Sequence, residues 1–225
     1  KDKFTKLENF KYHYVLEPGI YEIGTHIPAG TYYVRSDIED TCYFDIYEMT
    51  DEYMYCHGQY QVRDKNKLMN PYRSIWRVEI KNRKRNINLE NGKILIIRPN
   101  AQLLFYSNNV NNNDLNIIEN SNQKTYNVSN RAVAGKDFET GVYDIIYEPR
   151  NNENNGTVSC VIEFVGSYES EFTMTFDCSG KDGSQLVYKN VPFTSNSTIT
   201  TKNVQDVILV PTKMISEKFN EITGE

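Results

Sequence analysis

The 225 residues carry 25 Lys and Arg against 30 Asp and Glu, a formal net charge of −5, with 39% hydrophobic and 24% charged side chains. This is a globular composition long enough for two domains, neither that of a disordered chain nor that of a membrane-embedded one. The acidic balance argues against a nucleic-acid partner, which leaves a basic footprint, and no apolar run reaches the roughly 20 residues of a transmembrane helix.

The chain opens on Lys1-Asp2-Lys3, a polar stretch that reads as the end of a tether. An export signal or N-terminal lipid anchor is therefore expected to lie outside this sequence. With 17 Tyr, 10 Phe and Asn gathered at turns, the composition favours strands. Residues 23 to 34, IGTHIPAGTYYV, place Pro28 two residues before Gly30. The ring fixes φ and the glycine tolerates a positive φ, which predicts a tight turn ahead of a strand at Tyr32. Asp37, Glu39 and Asp40 lack the spacing of a calcium loop and read as a solvated turn.

Next, Cys42, Phe44 and Ile46 alternate with Tyr43, Asp45 and Tyr47, the pattern of a half-buried strand. Tyr43, Tyr47, Tyr53 and Tyr55 form the outward face of the strands that carry Cys42 and Cys56. Such a face is a candidate surface for stacking on sugar rings or a protein, unless another sheet covers it. The basic run Lys81 to Arg85, with Arg83, Lys84 and Arg85 at its end, is a second candidate surface, for phosphate-bearing wall polymers or an acidic partner. Its plainer role is a charged hairpin that discourages edge pairing. Ile94 to Ile97 and Val207 to Val210 read as strands buried on both faces, and Met214, Ile215, Phe219 and Ile222 predict a short C-terminal helix.

The chain repeats itself. Gly24, Ile27, Gly30 and Tyr32 match Gly135, Phe138, Gly141 and Tyr143 at a constant offset (135 − 24 = 111). Ile87, Ile96 and Pro99 match Ile199, Ile208 and Pro211 at 112, and Cys42 and Cys56 match Cys160 and Cys178 at 118 and 122. The expected fold is therefore all-β, with two similar tandem domains of β-sandwich or jelly-roll type. The first repeat is placed at 1–107, an Asn-rich linker at 108–124, and the second repeat with its tail at 125–225.

The stretch Gly-Thr-His-Ile-Pro-Ala-Gly-Thr-Tyr, Gly24 to Tyr32, resembles a turn found in exported and lipid-anchored β-proteins of Gram-positive bacteria. The second copy keeps Gly135, Gly141 and Tyr143 but has Glu139 in place of the proline. The resemblance implies an extracytoplasmic, secreted or surface-attached module and assigns no activity.

Two cysteines per copy on neighbouring strands suggest disulfides Cys42 to Cys56 and Cys160 to Cys178, suited to an oxidising compartment. The alternative is four buried thiols acting as small hydrophobes. The histidines His13, His26 and His57 have no nucleophile or acid patterned around them, and the cysteine spacings do not suit zinc. No cofactor or metal site is expected. The leading expectation is a non-catalytic exported module that binds a cell-wall glycan or another surface protein. A polysaccharide hydrolase with two dispersed carboxylates and a structural spacer are the alternatives.

Overall fold

The computed structural model describes residues 9–36, 42–49, 54–63, 67–72, 86–99, 102–111, 116–149, 157–163, 171–177 and 185–224. They divide into two units, one ending at Asn116 and the other starting at Ile117. The described fold is all-β with one short C-terminal helix, and no helix among the described residues is long and apolar enough to cross a membrane.

The first unit holds β1 (Tyr12–Leu16), β2 (Gly19–Glu22), β3 (Gly30–Ser36), β4 (Cys42–Met49), β5 (Met54–Arg63), β6 (Lys67–Tyr72), β7 (Ile87–Leu89), β8 (Ile94–Ile97) and β9 (Leu103–Val110). One antiparallel sheet runs β1-β9-β3-β7 and the other β2-β8-β4-β5-β6. Alternate residues of both sheets meet in one core: Tyr32, Val34, Leu103 and Phe105 from the first, Tyr21, Phe44, Ile46, Leu95 and Ile97 from the second. Phe105 stands edge-on to Tyr32 and Phe44, with ring centroids 6.1 and 5.7 Å away. Aromatic pairs at this spacing hold two sheets in a fixed relation. As the unbroken run Ile-Leu-Ile-Ile predicts, all four residues of β8 are buried.

The second unit holds β10 (Ile117–Glu119), β11 (Tyr126–Val128), β12 (Arg131–Val133), β13 (Gly141–Pro149), β14 (Thr157–Glu163), β15 (Glu171–Asp177), β16 (Leu186–Phe193), β17 (Thr198–Lys202), β18 (Val204–Pro211), β19 (Met214–Ser216) and α1 (Glu217–Thr223). Its strands pair in the orders β11-β18-β13-β16 and β12-β17-β14-β15, and β10 pairs with β19. Strand for strand these are the orders β1-β9-β3-β7 and β2-β8-β4-β5 of the first unit, without a counterpart of β6. The helix begins where the Ser216 hydroxyl accepts the Phe219 N–H and stops at left-handed Gly224, so a seven-residue helix has both ends capped. Met214 and Ile215, expected in the helix, lie in β19.

The turn before β3 and the turn before β13 have one geometry. The Gly24 N–H donates to Ile27 O and the Gly135 N–H to Phe138 O, both at 2.7 Å. The Tyr32 hydroxyl donates back to Pro28 O at 2.7 Å, and the Tyr143 hydroxyl to Glu139 O at 3.0 Å. A carbonyl is all the bond needs, so glutamate replaces proline without changing the turn. Gly30 is required by close approach: a Cβ there would lie 2.6 Å from the Asn109 carbonyl oxygen.

Several expectations fail on register. Ile96 lies in β8, between β2 and β4, whereas Ile208 lies in β18, between β11 and β13, the place of β9. Ile87 in β7 and Ile199 in β17 are likewise in strands of different rank. The cysteines do not correspond either. Leu95 faces Ile46 in one unit and Ile199 faces Cys160 in the other, so Cys160 stands where the first unit has Ile46, not Cys42. In β18, Val207 and Leu209 are buried but Asp206 is exposed and Ile208 and Val210 only partly covered, so one face alone is in the core. The segment expected as a linker contains the end of β9 and all of β10. Asn120 and Asn122 within it are buried: Asn120 donates to Val142 O at 2.9 Å, and Asn122 donates to the Tyr143 hydroxyl.

Candidate functional site

The register of β4 and β5 does not allow the expected Cys42 to Cys56 disulfide. Cys42 faces Val62 and Cys56 faces Tyr47. The two thiols are thus five strand positions apart (47 − 42), about 16 Å at roughly 3.3 Å per residue, far beyond bonding distance. Cys42, Cys56 and Cys160 are free thiols in the structure. Cys160, opposite Met174, is fully buried, and burial pushes its thiol well above the ordinary range, which makes it inert. Cys178 lies outside the described residues.

Of the tyrosines expected to form a surface, Tyr43 and Tyr47 alternate on the face of β4 that points away from the core, with Asp45 between them. Tyr43 is 39% exposed, while Tyr47 is largely covered and hydrogen-bonds the Cys56 thiol across the ladder. Burial, reinforced by the neighbouring Cys56 and Asp45, raises the Tyr47 phenol well above its usual range, so it stays neutral. Tyr53, the side chain of Tyr55, and Arg83, Lys84 and Arg85 lie outside the described residues.

The structure adds two residues to Tyr43. Arg98 follows β8 directly, and its backbone N–H donates to Tyr43 O at 3.1 Å. Its Nε and Nη2 each lie 2.9 Å from Asp45 Oδ2, and the guanidinium carbon lies 5.8 Å from the Tyr43 ring centre. Asp45 is 4% exposed, whereas the Arg98 side chain is 47% exposed. Burial raises the Asp45 carboxyl above the ordinary range, opposed by the charge and hydrogen bonds of Arg98. The second oxygen, Oδ1, is buried with no hydrogen-bond partner among the described residues. Asp45 therefore braces Arg98 beside an exposed aromatic ring, and the pair presents donors at the surface with its charge internally balanced. The signal in the sequence was the one acid within the aromatic strand Cys-Tyr-Phe-Asp-Ile-Tyr. Its partner, 53 residues away, is set by register alone.

Among the described residues no group of three or more His, Cys, Asp or Glu is placed to hold a metal ion. No protein-family model, no curated protein and no solved structure matches this chain.

Proposed function

We propose that the protein is a non-catalytic, extracytoplasmic binding module whose Tyr43, Asp45 and Arg98 take a neutral glycan. The observation that carries the reading is the exposed Tyr43 ring with Arg98 held beside it by a buried carboxylate. Sugars offer an apolar C–H face to an aromatic ring and hydroxyls to a guanidinium, and an internally neutralised cation suits an uncharged ring. The turn Gly24 to Tyr32, with its likeness to exported and lipid-anchored proteins of Gram-positive bacteria, supports the compartment. The unbonded thiols lend it no support. We infer further that the units arose from one duplicated ancestor, because strand order and turn hydrogen bonds recur in both.

The test is a glycan array followed by calorimetric titration of the best neutral ligand. Tyr43→Ala and Arg98→Gln are each expected to weaken binding tenfold or more. Binding of a protein but no sugar would overturn the glycan assignment, and binding of nothing would leave the spacer reading in its place.

A further inference from the structure

The turn between β7 and β8 has a twin in the second unit. In residues 90–93 the Lys93 N–H donates to Glu90 O at 3.3 Å, and the Gly92 N–H donates to Ile23 O at 2.8 Å. In residues 194–197 the Ser197 N–H donates to Thr194 O at 3.1 Å, and the Asn196 N–H to Ala134 O at 3.2 Å. The third residue of each turn is left-handed, Gly92 at φ +79° and Asn196 at φ +68°. The two backbones agree where the side chains do not. Asn91-Gly92 stands where the second unit has Ser195-Asn196.

Asparagine is a chemically labile residue, most of all before glycine. The Gly92 nitrogen attacks the Asn91 Cγ and closes a cyclic imide. The carboxamide nitrogen leaves as ammonia, taking up the proton lost from Gly92. Water then opens the imide at either carbonyl, giving aspartate or isoaspartate. Glycine obstructs this least, because no Cβ stands beside the attacking nitrogen. Asn91 is exposed, so water reaches the ring.

The fold restrains both reacting groups. Attack needs the Gly92 nitrogen to give up its hydrogen, and that hydrogen is committed to Ile23 O. The carboxamide is lodged over Gly24, where an added Cβ would fall 1.6 Å from Asn91 Oδ1 and 2.7 Å from its Cγ. Reaction therefore waits on a local opening that frees the turn from Ile23 and Gly24. Asn196 is placed less favourably still. The residue after it, Ser197, has a side chain, is fully buried and has its N–H held by Thr194 O.

We propose that Asn91 is a site of spontaneous modification, converted through an imide with Gly92 to aspartate and isoaspartate at a rate set by opening of this turn. The isoaspartyl form adds a methylene to the main chain and pulls the bonds to Ile23 and Glu90 out of register. The corresponding turn of the second unit, with Ser195 in that place, is spared.

Peptide mapping by mass spectrometry, on protein kept at mildly alkaline pH in buffer or in denaturing urea, tests this. Aspartyl and isoaspartyl forms of the Asn91 peptide should accumulate in both, at least tenfold more slowly in the folded protein. In heavy-oxygen water each product should gain one heavy oxygen atom. Gly92→Ala meets no atom within 4 Å, so the turn survives at the left-handed cost alone. It should slow conversion at least tenfold, and the comparison in urea does not depend on the variant folding. The other Asn-Gly pair, Asn155-Gly156, lies outside the described residues and is read on its own peptide. Equal rates in buffer and urea, or no product from the folded protein, would overturn the proposal. So would an unchanged rate in Gly92→Ala, or conversion of Asn196 as fast as that of Asn91 in folded protein.

Discussion

His26 and Asp137 perform the same task with different chemistry. The Glu22 N–H donates to His26 Nδ1 at 2.9 Å, and the Val133 N–H donates to Asp137 Oδ2 at 2.8 Å. In each turn the backbone N–H of the accepting residue returns the bond, His26 to Glu22 O at 2.9 Å and Asp137 to Val133 O at 2.8 Å. The first turn can keep its bond only while the imidazole is neutral.

That difference makes the first unit acid-sensitive at this turn. Burial lowers the His26 pKa from 6.5 to about 4. A folded value below the unfolded one means that the stabilisation is complete above 6.5 and is lost as the pH falls towards 4. At pH 5 the loss is about 2 kcal/mol, or roughly 10 °C in the melting temperature of a unit this size. His26→Asn keeps an acceptor without a titrating proton, so calorimetry between pH 7.5 and 5 should find its transition much flatter than that of the parent. Parallel curves for the two proteins would remove His26 from the acid response.

The glycines of the paired turns should differ in tolerance. Gly24 has φ +92°, and a Cβ there would fall 1.6 Å from Asn91 Oδ1. Gly135 has φ +79°, and its nearest neighbour would be Ser195 Oγ at 3.5 Å. Gly135→Ala meets only the left-handed penalty of about 1–2 kcal/mol, whereas Gly24→Ala must also displace Asn91. Urea unfolding should rank Gly24→Ala as the more damaging, and Gly24→Ala/Asn91→Ala should fall back to the cost of Gly135→Ala. Equal costs for the two single variants would show that Asn91 moves aside freely.

The alternation of Cys42, Phe44 and Ile46, the two turns and the capped terminal helix were legible because each depends on neighbours in sequence. Register was not. Cysteine identity aligned Cys42 with Cys160, although the ladder places Ile46 opposite Leu95 where Cys160 lies opposite Ile199. His26 and Asp137 correspond by position at the offset of 111, but only hydrogen-bond geometry shows that they perform one task. Arg98 with Asp45, and Tyr33 with Tyr106, meet only through pairings between distant strands.

The corner tyrosines can be separated by removing one oxygen from each. Tyr32→Phe leaves the Pro28 carbonyl without this donor, at about 1–2 kcal/mol. Tyr143→Phe does the same to Glu139 and also deprives buried Asn122 of an acceptor, so it should cost about 1 kcal/mol more. Chemical unfolding of the two variants side by side measures the difference. A smaller loss for Tyr143→Phe would mean that the Asn122 bond adds nothing.

The Asp45–Arg98 pair gives the sharpest conflict between stability and binding. Burial raises the Asp45 carboxyl in the fold, with Arg98 only partly offsetting it. The folded protein therefore holds the proton more tightly than the unfolded chain, and keeping Asp45 ionised at neutral pH works against folding. Asp45→Asn should consequently raise the urea midpoint at pH 7, and the gap should narrow as the pH falls through the carboxylate range and the parent protonates. The same change releases Arg98 from its charged brace and should weaken a neutral glycan at Tyr43 by about tenfold, on the order of 1.4 kcal/mol. A lower midpoint at pH 7 would mean that the ion pair outweighs the burial of its carboxylate. An unchanged glycan affinity would mean that Arg98 is positioned by its backbone bond to Tyr43 and has no need of Asp45.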